Sequence, residues 1–138
     1  MRLSGTEARR RLAGERVAHL ATAAADGRPH VVAVTFAVDG DVIYTAVDHK
    51  PKKTANLRRL RNIAENPQVS LLADHYSDDW TALWWARADG RAAILTRPGE
   101  TEVPVALLAA RYPQYRAGPP DGPVIAITAT SWTAWSFT

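Results

Sequence analysis

Apolar residues in this chain fall into six runs rich in β-branched and aromatic side chains, a composition typical of β-strands. Tight-turn signals separate the first three runs, because Asp26-Gly27 and Asp39-Gly40 are pairs that favour short hairpin turns. A third such pair, Asp89-Gly90, lies inside the fifth run and predicts a turn or a bulge there. The predicted strands span residues 17–23, 30–38, 42–47, 69–73, 80–95 and 124–137.

Three helices are predicted between these strands. Ser4 and Glu7 have the S-x-x-E spacing of a capping box, which marks the start of the first helix. Thr54 is a candidate N-cap for the second helix, whose apolar residues recur at helical spacing until Pro67 ends it. Pro104 fits the first turn of the third helix. The predicted helices span residues 5–13, 55–65 and 101–112, and a proline- and glycine-rich loop follows at 113–123.

These elements predict an α+β domain. Strands without a regular βαβ alternation favour an antiparallel sheet, and closing such a sheet removes its exposed edges. We therefore predict a six-stranded antiparallel split β-barrel with short flanking helices, formed by residues 1–138 as a single domain. Its core is expected to take the following residues or their strand neighbours: Val17, Leu20, Val32, Val34, Ile43, Leu71, Ile94, Ile125 and Ile127.

Composition narrows the function classes. The chain has no cysteine, which excludes disulfides, thiolate metal sites and cysteine nucleophiles and is typical of a cytoplasmic protein. No apolar run of about 18 residues occurs, so no membrane span is expected. The dinucleotide-binding, P-loop and nucleophile-elbow motifs are all missing, and the four histidines are scattered, so no metal site is predicted. Any enzyme activity is therefore expected to belong to a bound cofactor.

The positive charge of the chain is concentrated in one segment. Between residues 49 and 61 no acidic residue occurs, whereas in the rest of the chain 14 acidic residues outnumber 11 basic ones. The segment holds all three lysines of the chain and three arginines: Lys50, Lys52, Lys53, Arg58, Arg59 and Arg61. The lysines directly precede a predicted helix N-terminus, where cations are mutually unfavourable unless an anion is bound. With Thr54 and Asn56 as neutral donors, the segment predicts a phosphate-binding site, and a solvated basic loop is the alternative.

Tryptophan is the second signal. Trp80, Trp84 and Trp85 cluster after an acidic bend, and strand alternation places Trp84 and Trp85 on opposite faces. One of the two can lie in the core while the other contacts a ligand ring or a second subunit. Ordinary packing in the core or at an interface is the alternative.

The order and spacing of several segments resemble the pyridoxamine-phosphate-oxidase-like split β-barrel family, whose members share the FMN-binding split barrel. The segments that carry this resemblance are Asp26-Gly27-Arg28-Pro29-His30, Val34-Thr35-Phe36, Ile43-Tyr44-Thr45, Lys50-Pro51-Lys52-Lys53-Thr54-Ala55-Asn56-Leu57 and Asn66-Pro67-Gln68-Val69. The stretch from Asp78 to Trp85 and on to Asp89-Gly90 looks closer to the actinobacterial branch of F420-dependent oxidoreductases.

The resemblance implies a homodimer with two cofactor sites at the subunit interface, each binding a flavin or the deazaflavin coenzyme F420. It implies that Lys53 binds the phosphate, with Lys50, Lys52, Thr54 and Asn56 around it. It also implies that Thr35 and Thr45 line the cofactor ring and that Trp80 or Trp84 comes from the partner subunit. The chain lacks the C-terminal arginine-containing motif of pyridoxamine phosphate oxidases proper, so that activity is not expected.

Three functions follow from these observations. The first is hydride transfer between reduced F420 and an unidentified small unsaturated substrate. The alternative is an FMN-dependent oxidoreductase or a flavin-binding protein on the same fold. The third, a small nucleic-acid-binding domain, would use Arg58, Arg59 and Arg61 as a basic helix face, but the basic patch is short for that purpose.

Overall fold

The structure, a computed structural model, describes residues 1–47 and 53–138, and within them the side chains of 1–47 and 58–138. This part of the chain forms eight strands, four helices and a short 3₁₀ turn at Trp80–Ala82. The strands are β1 (Arg2–Leu3), β2 (Ala18–Ala23), β3 (Pro29–Val34), β4 (Ala37–Asp39), β5 (Val42–Ala46), β6 (Gln68–His75), β7 (Trp84–Leu95) and β8 (Val124–Ser136). The helices are α1 (Gly5–Gly14), α2 (Lys53–Glu65), α3 (Pro98–Arg111) and α4 (Pro113–Ala117).

All strands belong to one antiparallel sheet in the order β3-β2-β6-β7-β8-β5-β4, and β1 pairs with the end of β8. The predicted α+β class, an antiparallel sheet with flanking helices, is therefore confirmed. The sheet has more strands than predicted, because β1 adds a short strand and the predicted strand at 30–38 is divided into β3 and β4.

The division between β3 and β4 has a side-chain cause. At Phe36 the backbone N–H donates to the Tyr112 hydroxyl at 3.1 Å, and the Phe36 carbonyl accepts from Tyr112 and from Arg111 at 2.9 and 3.2 Å. These bonds occupy backbone groups that a continuous strand would use in its ladder. The chain is thereby released from the sheet at Thr35 and Phe36 and resumes pairing at Ala37.

Three further segments differ from the predictions. Helix α3 starts at Pro98 and not at residue 101, so Pro104 lies inside the helix and not in its first turn. The predicted strand at 80–95 begins only at Trp84, because the Asp79 carboxylate caps the 3₁₀ turn by accepting from the Thr81 N–H at 3.1 Å. The segment predicted as a loop at 113–123 contains α4, which starts at Pro113, a residue suited to the first position of a helix.

A bulge lies opposite the Asp89-Gly90 pair, because Asp89 pairs with Ser131 and Gly90 with Ala129, which leaves Thr130 of β8 as the extra residue. A Cβ atom on Gly90 would lie 2.1 Å from the Thr128 carbonyl oxygen. Only glycine therefore allows the two strands to approach this closely.

The core lies inside the curved sheet and is sealed by α1 and α2. Of the predicted core residues, six are buried: Leu20, Val34, Ile43, Leu71, Ile125 and Ile127. Val32 and Ile94 are partly buried against them. Val17 is 49% exposed, and the inward position belongs to its neighbour Ala18. In the ranges 1–47 and 53–138 no helix has the length and hydrophobicity that crossing a membrane requires.

Candidate functional site

The basic segment leads into the N-terminus of α2. Lys50 and Lys52 lie outside the described residues, and α2 begins at Lys53. The side chains of Lys53, Thr54 and Asn56 also lie outside the described part, so their predicted contacts stay predictions. Thr54 is inside the helix and not at its N-cap, because the helix starts earlier than the predicted residue 55.

The arginines of α2 point in different directions. Arg58 and Arg61 are exposed, whereas Arg59 is only 7% exposed. Burial lowers the pKa of Arg59, and the nearby Tyr115 opposes that shift. The three arginines therefore do not form the single exposed face that a nucleic-acid-binding helix would need.

Arg58 and Arg61 line a surface cleft between α2 and the turn that joins β2 to β3. The cleft has a volume of about 410 Å³ and is also lined by Arg28, Asp26 and Glu65. Three guanidinium groups face two carboxylates there, so the cleft carries a net positive charge. It extends the positive charge of α2 beyond the lysine segment.

His30 lies beside this helix, on β3, directly opposite Thr22 in the β2–β3 register. Its Nδ1 atom is buried and has no hydrogen-bond partner among the described residues. Burial, followed by the charges of Arg58 and Arg59, lowers the pKa of His30, so the neutral imidazole is favoured. The sequence analysis did not select His30 as a candidate site residue, because an isolated histidine in a strand has no local signal of function.

Thr35, a predicted ring contact, sits at the break between β3 and β4. Its Oγ1 atom is 2.7 Å from the Tyr115 hydroxyl of α4, and the Tyr115 ring packs edge-on against Tyr112 at 5.7 Å. Thr45, the second predicted ring contact, is 1% exposed on β5 and pairs with Ile125. Thr35 is thus partly accessible, and Thr45 is enclosed.

The predicted tryptophans lie far from these residues along the sheet. Trp80 is 60% exposed in the 3₁₀ turn, and Trp84 is partly buried beneath the Arg11 guanidinium, 5.5 Å from its ring centroid. Thr45 pairs with the start of β8 at Ile125, whereas Trp84 pairs with its end at Ser136. At about 3.3 Å per residue the two positions are separated by roughly 36 Å along the strand. Within one chain, Trp84 and Thr45 therefore lie at opposite ends of β8.

No cluster of three histidine, cysteine, aspartate or glutamate side chains suited to a metal ion occurs within the described ranges.

Comparison with known families now identifies the class of protein. Residues 5–136 match the family model described as pyridoxamine 5'-phosphate oxidase, so the chain belongs to that family. This membership and the antiparallel sheet together confirm the predicted split β-barrel. The curated proteins contain no match to the chain.

Several solved structures share the fold of this chain. An FAD-binding protein from Mesorhizobium loti superposes with a TM-score of 0.76 at 19% identity, covering 97% of this chain and 95% of that one. A conserved hypothetical protein from Mycobacterium tuberculosis gives 0.73 at 25% identity, with coverages of 98% and 86%. HutZ from Vibrio cholerae, described as a heme storage protein, gives 0.71 at 21% identity, with coverages of 95% and 90%. The fold is therefore shared by proteins that bind different cofactors.

Proposed function

We propose that this protein is a homodimeric, cytoplasmic oxidoreductase that uses coenzyme F420 to reduce a small unsaturated substrate. The observation that carries the proposal is the start of α2 at Lys53, directly after the lysine segment, in a member of this family. The free N–H groups of a helix N-terminus and adjacent ammonium groups together favour a phosphate. Lys50, Lys52, Lys53, Thr54 and Asn56 are the residues proposed to hold it.

The distribution of charge favours F420 over FMN. F420 carries a tail with carboxylates in addition to its phosphate, and the cleft offers further cations, Arg58 and Arg61 on the same helix and Arg28 in the turn beside it. His30 Nδ1, buried without a partner in the described part, adds a polar atom near Arg58, whose charge acts on the imidazole. An anion there would be stabilised by the guanidinium groups, although Asp26 and Glu65 reduce the net charge.

FMN is the alternative cofactor. The same helix N-terminus would accept its single phosphate, and the structural relative from Mesorhizobium loti is an FAD-binding protein. This alternative does not need the arginine cleft, which is the feature that separates the two proposals.

The chemistry follows from what the residues can hold. Bound reduced F420 would supply a hydride, and the protein would bind the cofactor, orient it and exclude water. Thr35 is the ring-facing candidate that one protomer leaves accessible, and its hydroxyl is oriented by Tyr115. Thr45 is enclosed on β5, so its proposed role is to pack within the strand that lies beneath the ring.

The separation of Trp84 from Thr45 along β8 supports the homodimer. Trp84, and Trp80 in the turn before it, could contact a cofactor ring that lies at Thr45 only from a second copy. A twofold axis would place the tryptophan end of each protomer against the Thr45 end of the other, so that two equivalent sites form.

A pair of cofactor titrations tests this proposal. Oxidised F420 and FMN are titrated separately into the parent protein and into Lys53→Ala at one fixed salt concentration, and binding is followed by cofactor fluorescence. Loss of a charge-assisted phosphate contact should weaken F420 binding about tenfold or more. Arg9→Ala is the matched control, because it removes one positive charge from an exposed pair with Asp41 outside the site.

Equal F420 affinity for Lys53→Ala and the parent would show that the phosphate site is wrongly placed. Tight binding of FMN with none of F420 would establish the alternative cofactor.

A further inference from the structure

The hydroxyl of Thr35 forms one hydrogen bond at the break between β3 and β4. Its Oγ1 atom is 2.7 Å from the Tyr115 hydroxyl of α4, and either oxygen could donate in this bond. Within the side chains of 1–47 and 58–138, the Thr35 hydroxyl has no second hydrogen-bond partner. The direction of this single bond therefore decides whether Thr35 can still donate to a ligand.

Two effects make Tyr115 the donor in this bond. A phenol is more acidic than an aliphatic alcohol, so the phenol O–H donates and the alcohol oxygen accepts. Arg59 of α2 acts in the same direction, because its charge acts on Tyr115. A nearby cation attracts the oxygen of a hydroxyl group and repels its proton, which leaves the Tyr115 proton to Thr35. The Thr35 oxygen thus accepts, and its own proton is available for another acceptor.

Packing fixes Tyr115 beside the strand break. Its ring lies edge-on against Tyr112, with the ring centroids 5.7 Å apart. Tyr112 is 6% exposed, and its hydroxyl bonds both backbone groups of Phe36, the residue after Thr35. The Thr35 hydroxyl is therefore oriented before any ligand arrives, which reduces the entropy lost on binding.

We propose that Tyr115 is a positioning residue that makes Thr35 a hydrogen-bond donor to an acceptor atom of the cofactor ring. This inference rests on the proposed function, from which it takes the contact between Thr35 and the ring. Hydride transfer to the ring adds one negative charge, and a hydrogen bond to an anionic acceptor is stronger than one to a neutral acceptor. The pair of hydroxyls thus stabilises the reduced cofactor more than the oxidised one.

The test measures the dissociation constants of oxidised and reduced F420 by anaerobic titration calorimetry, with FMN in place of F420 if the parent binds only FMN. The ratio of the two constants gives the preference for the reduced form. Thr35→Val should lower this preference about fivefold, through loss of one hydrogen bond. For a two-electron couple, that change lowers the reduction potential of the bound cofactor by about 20 mV. Tyr115→Phe keeps the Thr35 hydroxyl without its orientation and should lower the preference about threefold.

Three further variants separate positioning from packing. Because Tyr115 acts through Thr35, the double variant Tyr115→Phe/Thr35→Val should have the preference of Thr35→Val alone. Thr35→Ser retains the hydroxyl and should stay within about twofold of the parent. Tyr112→Phe removes a hydroxyl that bonds the backbone and not Thr35, so any change in affinity should be equal for the two redox forms.

The outcomes distinguish this inference from the function on which it rests. A parent protein that binds neither F420 nor FMN would refute both. If the parent binds a cofactor and Tyr115→Phe keeps the parent's preference, only the role of Tyr115 is refuted. Additive effects in the double variant would show that Tyr115 does not act through Thr35. A loss of preference in Tyr112→Phe as large as in Tyr115→Phe would show that packing at the strand break causes the effect.

Discussion

Replacing Tyr112 with phenylalanine removes one oxygen atom from a buried junction between α3, the end of α1 and the break after β3. The Tyr112 side chain is 6% exposed, and its hydroxyl accepts from the Phe36 N–H at 3.1 Å. The same hydroxyl lies 2.9 Å from the carbonyl oxygens of Arg16 and Phe36, either of which accepts its single proton. The Tyr112 hydroxyl oxygen thus accepts from the Phe36 N–H, a backbone donor that is not paired with a neighbouring strand.

The magnitude follows from which partners lose their bonds. In the variant, the Phe36 carbonyl still accepts from Arg111 at 3.2 Å, but the Phe36 N–H has no replacement acceptor at this junction. Leaving one buried donor unsatisfied costs about 1–3 kcal/mol. At roughly 2.1 cal/mol/K per residue, the unfolding entropy of a domain this long converts that loss into a Tm decrease of about 3–10 °C.

Thermal unfolding followed by circular dichroism, with urea titration as a second method, measures this change. Tyr76→Phe is the matched control, because it removes a hydroxyl from a residue that is 71% exposed. This variant should have a free energy of unfolding within about 0.5 kcal/mol of the parent. If Tyr112→Phe unfolds within about 1 °C of Tyr76→Phe, the hydroxyl is not what holds the strand break together.

Two other changes test separate parts of the fold. Gly90→Ala should prevent native folding or lower the Tm steeply, because its Cβ would lie 2.1 Å from the Thr128 carbonyl oxygen. Gly14→Ala is the control and should be tolerated, because a Cβ atom there would have nothing within 4 Å. Comparable thermal unfolding of the two variants would refute the close approach. Glu7 pairs with two arginines of α1 that lower its pKa from 4.5 to about 2, so its stabilising contribution is present above pH 4.5 and is lost as the pH falls through about 2. Urea titrations should show Glu7→Gln less stable than the parent at pH 7 with the difference shrinking toward pH 2, and a difference independent of pH would contradict this assignment.

The parts of the fold that could be predicted are those with local signals. Asp26-Gly27 and Asp39-Gly40 give glycines with positive φ, 89° and 61°, so these hairpins follow from neighbouring residues alone. Ser4 caps α1 as its spacing predicts, accepting from the Glu7 N–H at 3.1 Å. The antiparallel sheet could also be predicted, because the order of strands and helices along the chain shows no regular βαβ alternation.

The strand break at Phe36 has no such signal. The residues around it are β-branched or aromatic and favour a continuous strand. The partner that ends the strand, Tyr112, is 76 positions away in the sequence, and the Tyr115 that contacts Thr35 is 80 positions away. Local propensity is overridden here by long-range hydrogen bonds, which single-sequence patterns do not contain.

The candidate site shows the same limit at a larger scale. The lysine segment and the tryptophans could both be recognised from the sequence, because a charge run and an aromatic cluster are local compositions. Their relative position could not, since it depends on β8 pairing with β5 at one end and with β7 along its length. That pairing separates Thr45 from Trp84 within one chain and places Trp85 directly opposite Trp135. Residues that a sequence pattern assigns to one site can therefore lie far apart in one chain, and the strand register decides which residues act together.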